Sequence, residues 1–241
     1  MKQFVLCALV LTACVADLPD DGEVHAAHAQ LGAAGAGSGS VPLVDRTAIP
    51  VGSVGVDRPM LQATTEKPAA SDGTGAFRTV CDYSHMNFDD PIVYPAQPGK
   101  AHLHAYFGNT AANASSTQQT LARSGNSTCR GGTINRSAYW APALLDAAGK
   151  PQEPRSLEVY YKSGYGGVPA RAVRAFPAGL RMIAGDMHSS SAQENAYWGC
   201  RDHYIGKKGS IPKCNAGEDF AMIVEFPQCR GWQARRLDRS Q

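Results

Sequence analysis

Apolar and polar residues alternate through much of the second half of the chain. Leu157, Val159 and Tyr161 interleave with Glu158, Tyr160 and Lys162, the period of a strand with one buried face. Residues 220–226 (Phe-Ala-Met-Ile-Val-Glu-Phe) read as a more continuously buried strand that Pro227 stops. Residues 101–107 alternate as well, with His102, His104 and Tyr106 on one face and Leu103, Ala105 and Phe107 on the other. A short helix is expected at 115–123, where Ser115 and Gln118 have capping-box spacing and Leu121 can anchor the inner face. Gly164, Gly166, Gly167, Pro169, Pro177, Gly179 and Pro212 punctuate the rest. Many short strands with breakers between them predict a mainly β, antiparallel, sandwich-like domain with short helices.

The pattern differs at the N-terminus. Lys2 precedes the apolar run Phe4–Leu11, far shorter than the roughly 20 residues of a membrane-spanning helix, so it reads as the h-region of a signal peptide. The run ends in Leu11-Thr12-Ala13-Cys14, which resembles the lipobox of bacterial lipoproteins, whose cysteine is acylated and becomes the new N-terminus. The expected organisation is a leader over 1–13, a lipidated Cys14 opening a tether over 14–75, one disulfide-bearing globular domain over 76–229, and a basic tail over 230–241. The tether is expected to be flexible, because residues 31–40 hold almost nothing large to bury and the next stretch is broken by Pro42, Pro50, Pro59 and Pro68. The expected location is the bacterial cell envelope, outside the cytoplasm, with the membrane as partner through the lipid.

A formal charge of +2 with no Lys/Arg run argues against nucleic acid. Cys81, Cys129, Cys200, Cys214 and Cys229 follow the anchor, and an extracytoplasmic compartment favours disulfides. A thiolate zinc site is the rival, but no two of these cysteines have CxxC spacing. Cys200 with Cys214, around a Gly/Lys-rich loop, is the first expected pair, and Cys81 with Cys129 the next. One thiol remains.

Several blocks then fall in a recognisable order: Asp90-Pro91-Ile92-Val93-Tyr94-Pro95-Ala96-Gln97-Pro98-Gly99, His102-Leu103-His104, Phe107-Gly108-Asn109 and Ser137-Ala138-Tyr139-Trp140-Ala141-Pro142. Residues 179–186 (Gly-Leu-Arg-Met-Ile-Ala-Gly-Asp), Trp198-Gly199-Cys200 and Phe226-Pro227-Gln228-Cys229 continue it. From about 77 to 229 the chain resembles the secreted family catalogued as domain of unknown function nineteen-ninety-six. The resemblance implies a secreted domain, in fungi sometimes joined to carbohydrate-binding modules, and supplies no reaction. Ala105 stands where bacterial relatives often carry an acidic residue. The family pattern continues past the Phe-Pro-x-Cys block with a Trp-Asp-Gly turn, further histidines and a cysteine. Cys229-Arg230-Gly231-Trp232 departs from it, so the tail reads as truncated, with Cys229 as the thiol that lost its partner.

The candidate chemistry centres on His102 and His104, two imidazoles able to form half of a divalent metal site, its metal unspecified. His85 and His188 are further candidate ligands, and Asp90 and Asp186 are candidate ligands or catalytic carboxylates. Asp90 before Pro91 also suits a turn opener. Tyr139, Trp140, Tyr160, Tyr161, Tyr165, Tyr197 and Trp198 suit either a core or stacking on sugar rings. Two functions emerge: a metal-dependent hydrolase of extracellular glycan, or a non-catalytic module of the cell envelope that binds such polysaccharide.

Overall fold

A computed structural model describes residues 4–11, 43–56, 76–162, 176, 178–185, 190–200 and 209–226. Cys14, Asp186, His188, Cys229 and the tail 230–241 lie outside the described residues, as does the tether apart from 43–56.

Among the described residues the strands are β1 (Phe4–Leu11), β2 (Ala76–Asn87), β3 (His104–Gly108), β4 (Ala138–Pro142), β5 (Pro154–Lys162), β6 (Ala196–Cys200) and β7 (Phe220–Val224), with one helix, α1 (Gln118–Arg123), and two 3-10 turns. They form one seven-stranded sheet in the order β4-β3-β2-β5-β1-β7-β6. The mainly antiparallel fold with short helices expected from the sequence is present. The 12-residue strand β2 is the pivot. Its first half pairs antiparallel with β5, from Ala76 opposite Lys162 to Asp82 opposite Ser156. Its second half pairs with β3, from Tyr83 opposite Phe107 to Asn87 opposite His104. The register slips at Ser84, where the bulge releases a carbonyl for another donor.

Burial follows the alternation. Leu157 and Val159 of β5 and Phe107 of β3 are all but inaccessible, and they meet Cys81, Tyr83, Leu103, Ala105, Trp198 and Met222 in one core. The 220–226 strand ends at Val224, and only Ala221 and Met222 are fully buried. Both expected disulfides are present: Cys81–Cys129 ties β2 to the segment after α1, and Cys200–Cys214 closes the loop after β6. The helix begins later than expected. Its cap is Thr117, which exchanges hydrogen bonds with Thr120 in a capping box, while Ser115 bonds to Asn113.

Two N-terminal segments differ from expectation. Residues 43–56, assigned by composition to the flexible tether, lie against the domain. Val44 and Ile49 pack on the core, the Arg46 guanidinium sits 4.1 Å over the Phe88 ring, and Ser53 N–H donates to the bulge carbonyl of Ser84 at 2.6 Å. A segment whose own regular structure is a single 3-10 turn at Arg46–Ala48 gains order here from a neighbour's backbone acceptors and apolar surface. The run Phe4–Leu11, read as a leader, occupies a strand position between β5 and β7, parallel to both.

Candidate functional site

The loop between β2 and β3 is organised by two adjacent carboxylates. Asp89 accepts Gly99 N–H at 2.8 Å on one oxygen, closing the loop, and Ala114 N–H at 3.1 Å on the other, tying the loop to the segment after β3. Asp90 accepts Ile92 and Val93 N–H on Oδ1, each at 2.8 Å, the turn-opening role that its place before Pro91 suggested. Its Oδ2 accepts the indole N–H of Trp140 at 3.1 Å and lies 4.0 Å from His104 Nε2. Asp90 therefore opens the turn and also faces the imidazole.

His104 opens β3 opposite Pro142 and is buried. Its Nδ1 lies 2.8 Å from the Asp89 carbonyl. A carbonyl only accepts, so Nδ1 carries the hydrogen and Nε2 is the ring nitrogen turned toward Asp90. This backbone-oriented imidazole is the arrangement that metal-binding and general-base histidines share. The Tyr106 hydroxyl donates to the same carbonyl at 2.7 Å. Burial, then the charges of Asp90 and Asp89, push Tyr106 well above the ordinary phenol value, so it stays a donor.

Other sequence candidates fall differently. The strand starts at His104 rather than at 101, so His102 lies on its approach and is exposed. The two rings nevertheless stand 4.4 Å apart between centroids. His85, a candidate ligand, has both nitrogens engaged: Nε2 lies 2.9 Å from the Ala112 carbonyl, and Nδ1 lies 2.9 Å from the Ser84 hydroxyl. Its ring stacks on Tyr106 at 4.8 Å, and Tyr106 stacks on Trp140 at 5.7 Å. His85 thus ends an aromatic column whose middle ring is Tyr106, which the sequence did not indicate. Asp186 and His188 lie outside the described residues. Among those residues, three potential ligand atoms gather within 4.8 Å of one another at Cys200, Cys214 and Glu218, where the sulfurs are already in a disulfide. His102, His104 and Asp90 are not so gathered. Two ligands on a tetrahedral ion stand about 3.4 Å apart, so the 4.0 Å between His104 and Asp90 needs a small closure and a further ligand.

A cavity of about 680 Å3 adjoins the pair, in the range of small-molecule sites. Asp90, His102 and His104 line it together with Arg136, Arg181, Gln118 and four serine and threonine hydroxyls, and β4 runs along its wall. Most of the remaining lining is aliphatic or aromatic, including Tyr161, Phe176, Leu180 and Met182.

Two residues of the Phe107-Gly108-Asn109 block prove architectural. Gly108 has φ +83°, and a side chain there would strike the Ser137 carbonyl, so only glycine ends β3 in this way. Asn109, wholly buried, donates from its amide to the carbonyls of Leu121 and Ser124 at the end of α1, at 3.0 and 2.9 Å.

Fold and site together define a disulfide-bridged, mainly antiparallel β domain with a buried carboxylate–imidazole pair beside an apolar cavity. Residues 90–241 match the family described as Domain of unknown function (DUF1996), and the chain belongs to that family. The match includes residues 230–241, which by sequence alone look like an atypical tail. No curated protein and no solved structure matches the chain.

Proposed function

We propose that the domain is a hydrolase acting on glycan outside the cytoplasm, with Asp90 and His104 at its reacting centre, and that Cys14 anchors it to the bacterial membrane through lipid. The observation that carries the first part is the pair itself. A buried carboxylate held by three N–H donors faces an imidazole whose tautomer a backbone carbonyl sets. Three donors fix the orientation of Asp90, and Nε2 of His104 can bind a divalent ion or take a proton from water. His102, 4.4 Å away and exposed, can swing in as a second imidazole ligand. With a metal bound, the ion would lower the pKa of its water, while Asp90 and His104 would orient it. Trp140 and Tyr139 line the same cavity and suit the face of a sugar ring.

The test is metal analysis of the purified chain, with hydrolysis of a panel of bacterial and plant glycans measured with and without chelator. Product formation that His104→Ala and Asp90→Asn abolish supports the reading. Glycan binding without product, indifferent to chelator and to both variants, would establish the binding module instead.

A further inference from the structure

The lining of the cavity constrains what it can hold. A sugar ring brings several hydroxyls, and each one buried without a partner loses its water at a cost that carbon side chains do not return. Beyond Asp90, His102 and His104, the wall includes Ile134, Tyr161, Phe176, Leu180 and Met182. Arg136, Arg181, Gln118 and four serine and threonine hydroxyls also line it, but carbon makes up most of the wall. The Tyr161 and Phe176 rings meet at a tilt in this stretch, 6.0 Å apart, and Ile134 is 76% exposed, a large apolar side chain left to solvent at the cavity wall. Exposed carbon of this kind lining a cavity of about 680 Å3 is the signature of a site for an apolar ligand.

We infer that this cavity binds the aliphatic arm of an acylated substrate, so that the glycan handled at Asp90 and His104 carries a hydrocarbon chain. The inference rests on the assignment of that pair as the reacting centre, but the binding it describes is measurable without any reaction. The head group would lie among Asp90, His102, His104 and Trp140, with the chain along Leu180 and Met182.

The experiment uses the full chain and the series octyl, decyl and dodecyl maltoside, each below its micelle concentration, with maltose and maltohexaose as chain-free controls, read by calorimetry. Burying methylenes should tighten binding about fourfold for each one added, and maltohexaose should gain nothing comparable. Ile134→Glu and Leu180→Glu should flatten the dependence on chain length; Ile134 is exposed, so its variant tests the cavity without disturbing the core. His104→Ala should keep the dependence while losing hydrolysis, which separates this inference from the hydrolase reading. A flat response in the wild type, an equally steep one in both glutamate variants, or maltohexaose binding as tightly as dodecyl maltoside would overturn it.

Discussion

His104 donates its Nδ1–H to the carbonyl of Asp89 over 2.8 Å, and so the nitrogen turned toward Asp90 is Nε2. The residue that sets the imidazole thus acts through its backbone, while its own carboxylate closes the loop. Asp90→Asn and His104→Ala should each lower hydrolysis at least 100-fold, roughly the range of a lost acid–base or ligand group. Tyr106→Phe removes only the second donor on the Asp89 carbonyl, and should cost about tenfold. Steady-state rates on the best glycan, with circular dichroism for the fold, check the order; an unaffected His104→Ala enzyme would remove the pair from the mechanism.

Asn109 bonds two carbonyls at the end of α1 and accepts Ala111 N–H at 2.8 Å. Asn109→Ala removes three hydrogen bonds made by one buried side chain and should destabilise the domain by about 2–4 kcal/mol. Urea denaturation measures this. A change below about 0.5 kcal/mol would show that water replaces the amide.

Burial lowers the pKa of His85 from its ordinary 6.5, against a smaller opposing effect of the Ala112 carbonyl and Asp89. Above pH 6.5 both folded and unfolded states keep this ring neutral. As the pH falls below that value the unfolded chain takes up the proton first, so stability should decline from there toward acid. His85→Phe should shallow the slope of melting temperature against pH between about 6.5 and 5. An unchanged slope would assign the acid sensitivity to other groups.

The Cys81–Cys129 bridge spans 48 residues and the Cys200–Cys214 bridge 14. In the chain-entropy account their loss costs about 4 and about 3 kcal/mol. Paired serine variants should therefore lower the denaturation midpoint in that order. A reversed order would point to native-state contacts rather than loop closure.

Acylation at Cys14 and the strand position of Phe4–Leu11 make opposite demands, because a chain processed at Cys14 loses β1. β5 and β7 both run parallel to β1, hence parallel to each other, and can pair directly once it is gone. The expected outcome is that a chain starting at residue 14 keeps the far-ultraviolet spectrum and cooperative melting of the domain. Cys14→Ser should move the full-length protein out of the membrane fraction. Loss of folding on removal of residues 1–13 would make β1 an integral strand and refute the leader.

The periodic part of this protein was readable directly. Leu157 and Val159 had to face inward, because alternation with period two leaves a strand no other way to bury them. Cys200 and Cys214 enclosed a Gly/Lys-rich loop that suited a bridge, and His104 and Asp90 were marked by residue type. The strap at 43–56 was not readable: its order comes from Ser84, Phe88 and the core, residues remote in sequence.

By itself, then, the sequence determined the alternating strands around His104, Leu157 and Met222, the disulfide pairs and the identity of the chemical groups, since these depend on side-chain pattern and local spacing. The strands β1 and β2 were not announced. The tertiary structure decided which of those groups meet. His85 lies opposite Tyr106 in the β2–β3 register, where its ring stacks and both nitrogens find partners, so it is withdrawn from metal chemistry. The carbonyl that orients His104 belongs to a backbone every residue shares, and no side-chain pattern announces it. The Trp140 indole reaches Asp90 across 50 residues because β4 pairs with β3. Contacts of that kind arise from strand register and loop closure, whose free energy belongs to the whole sheet and not to any one segment.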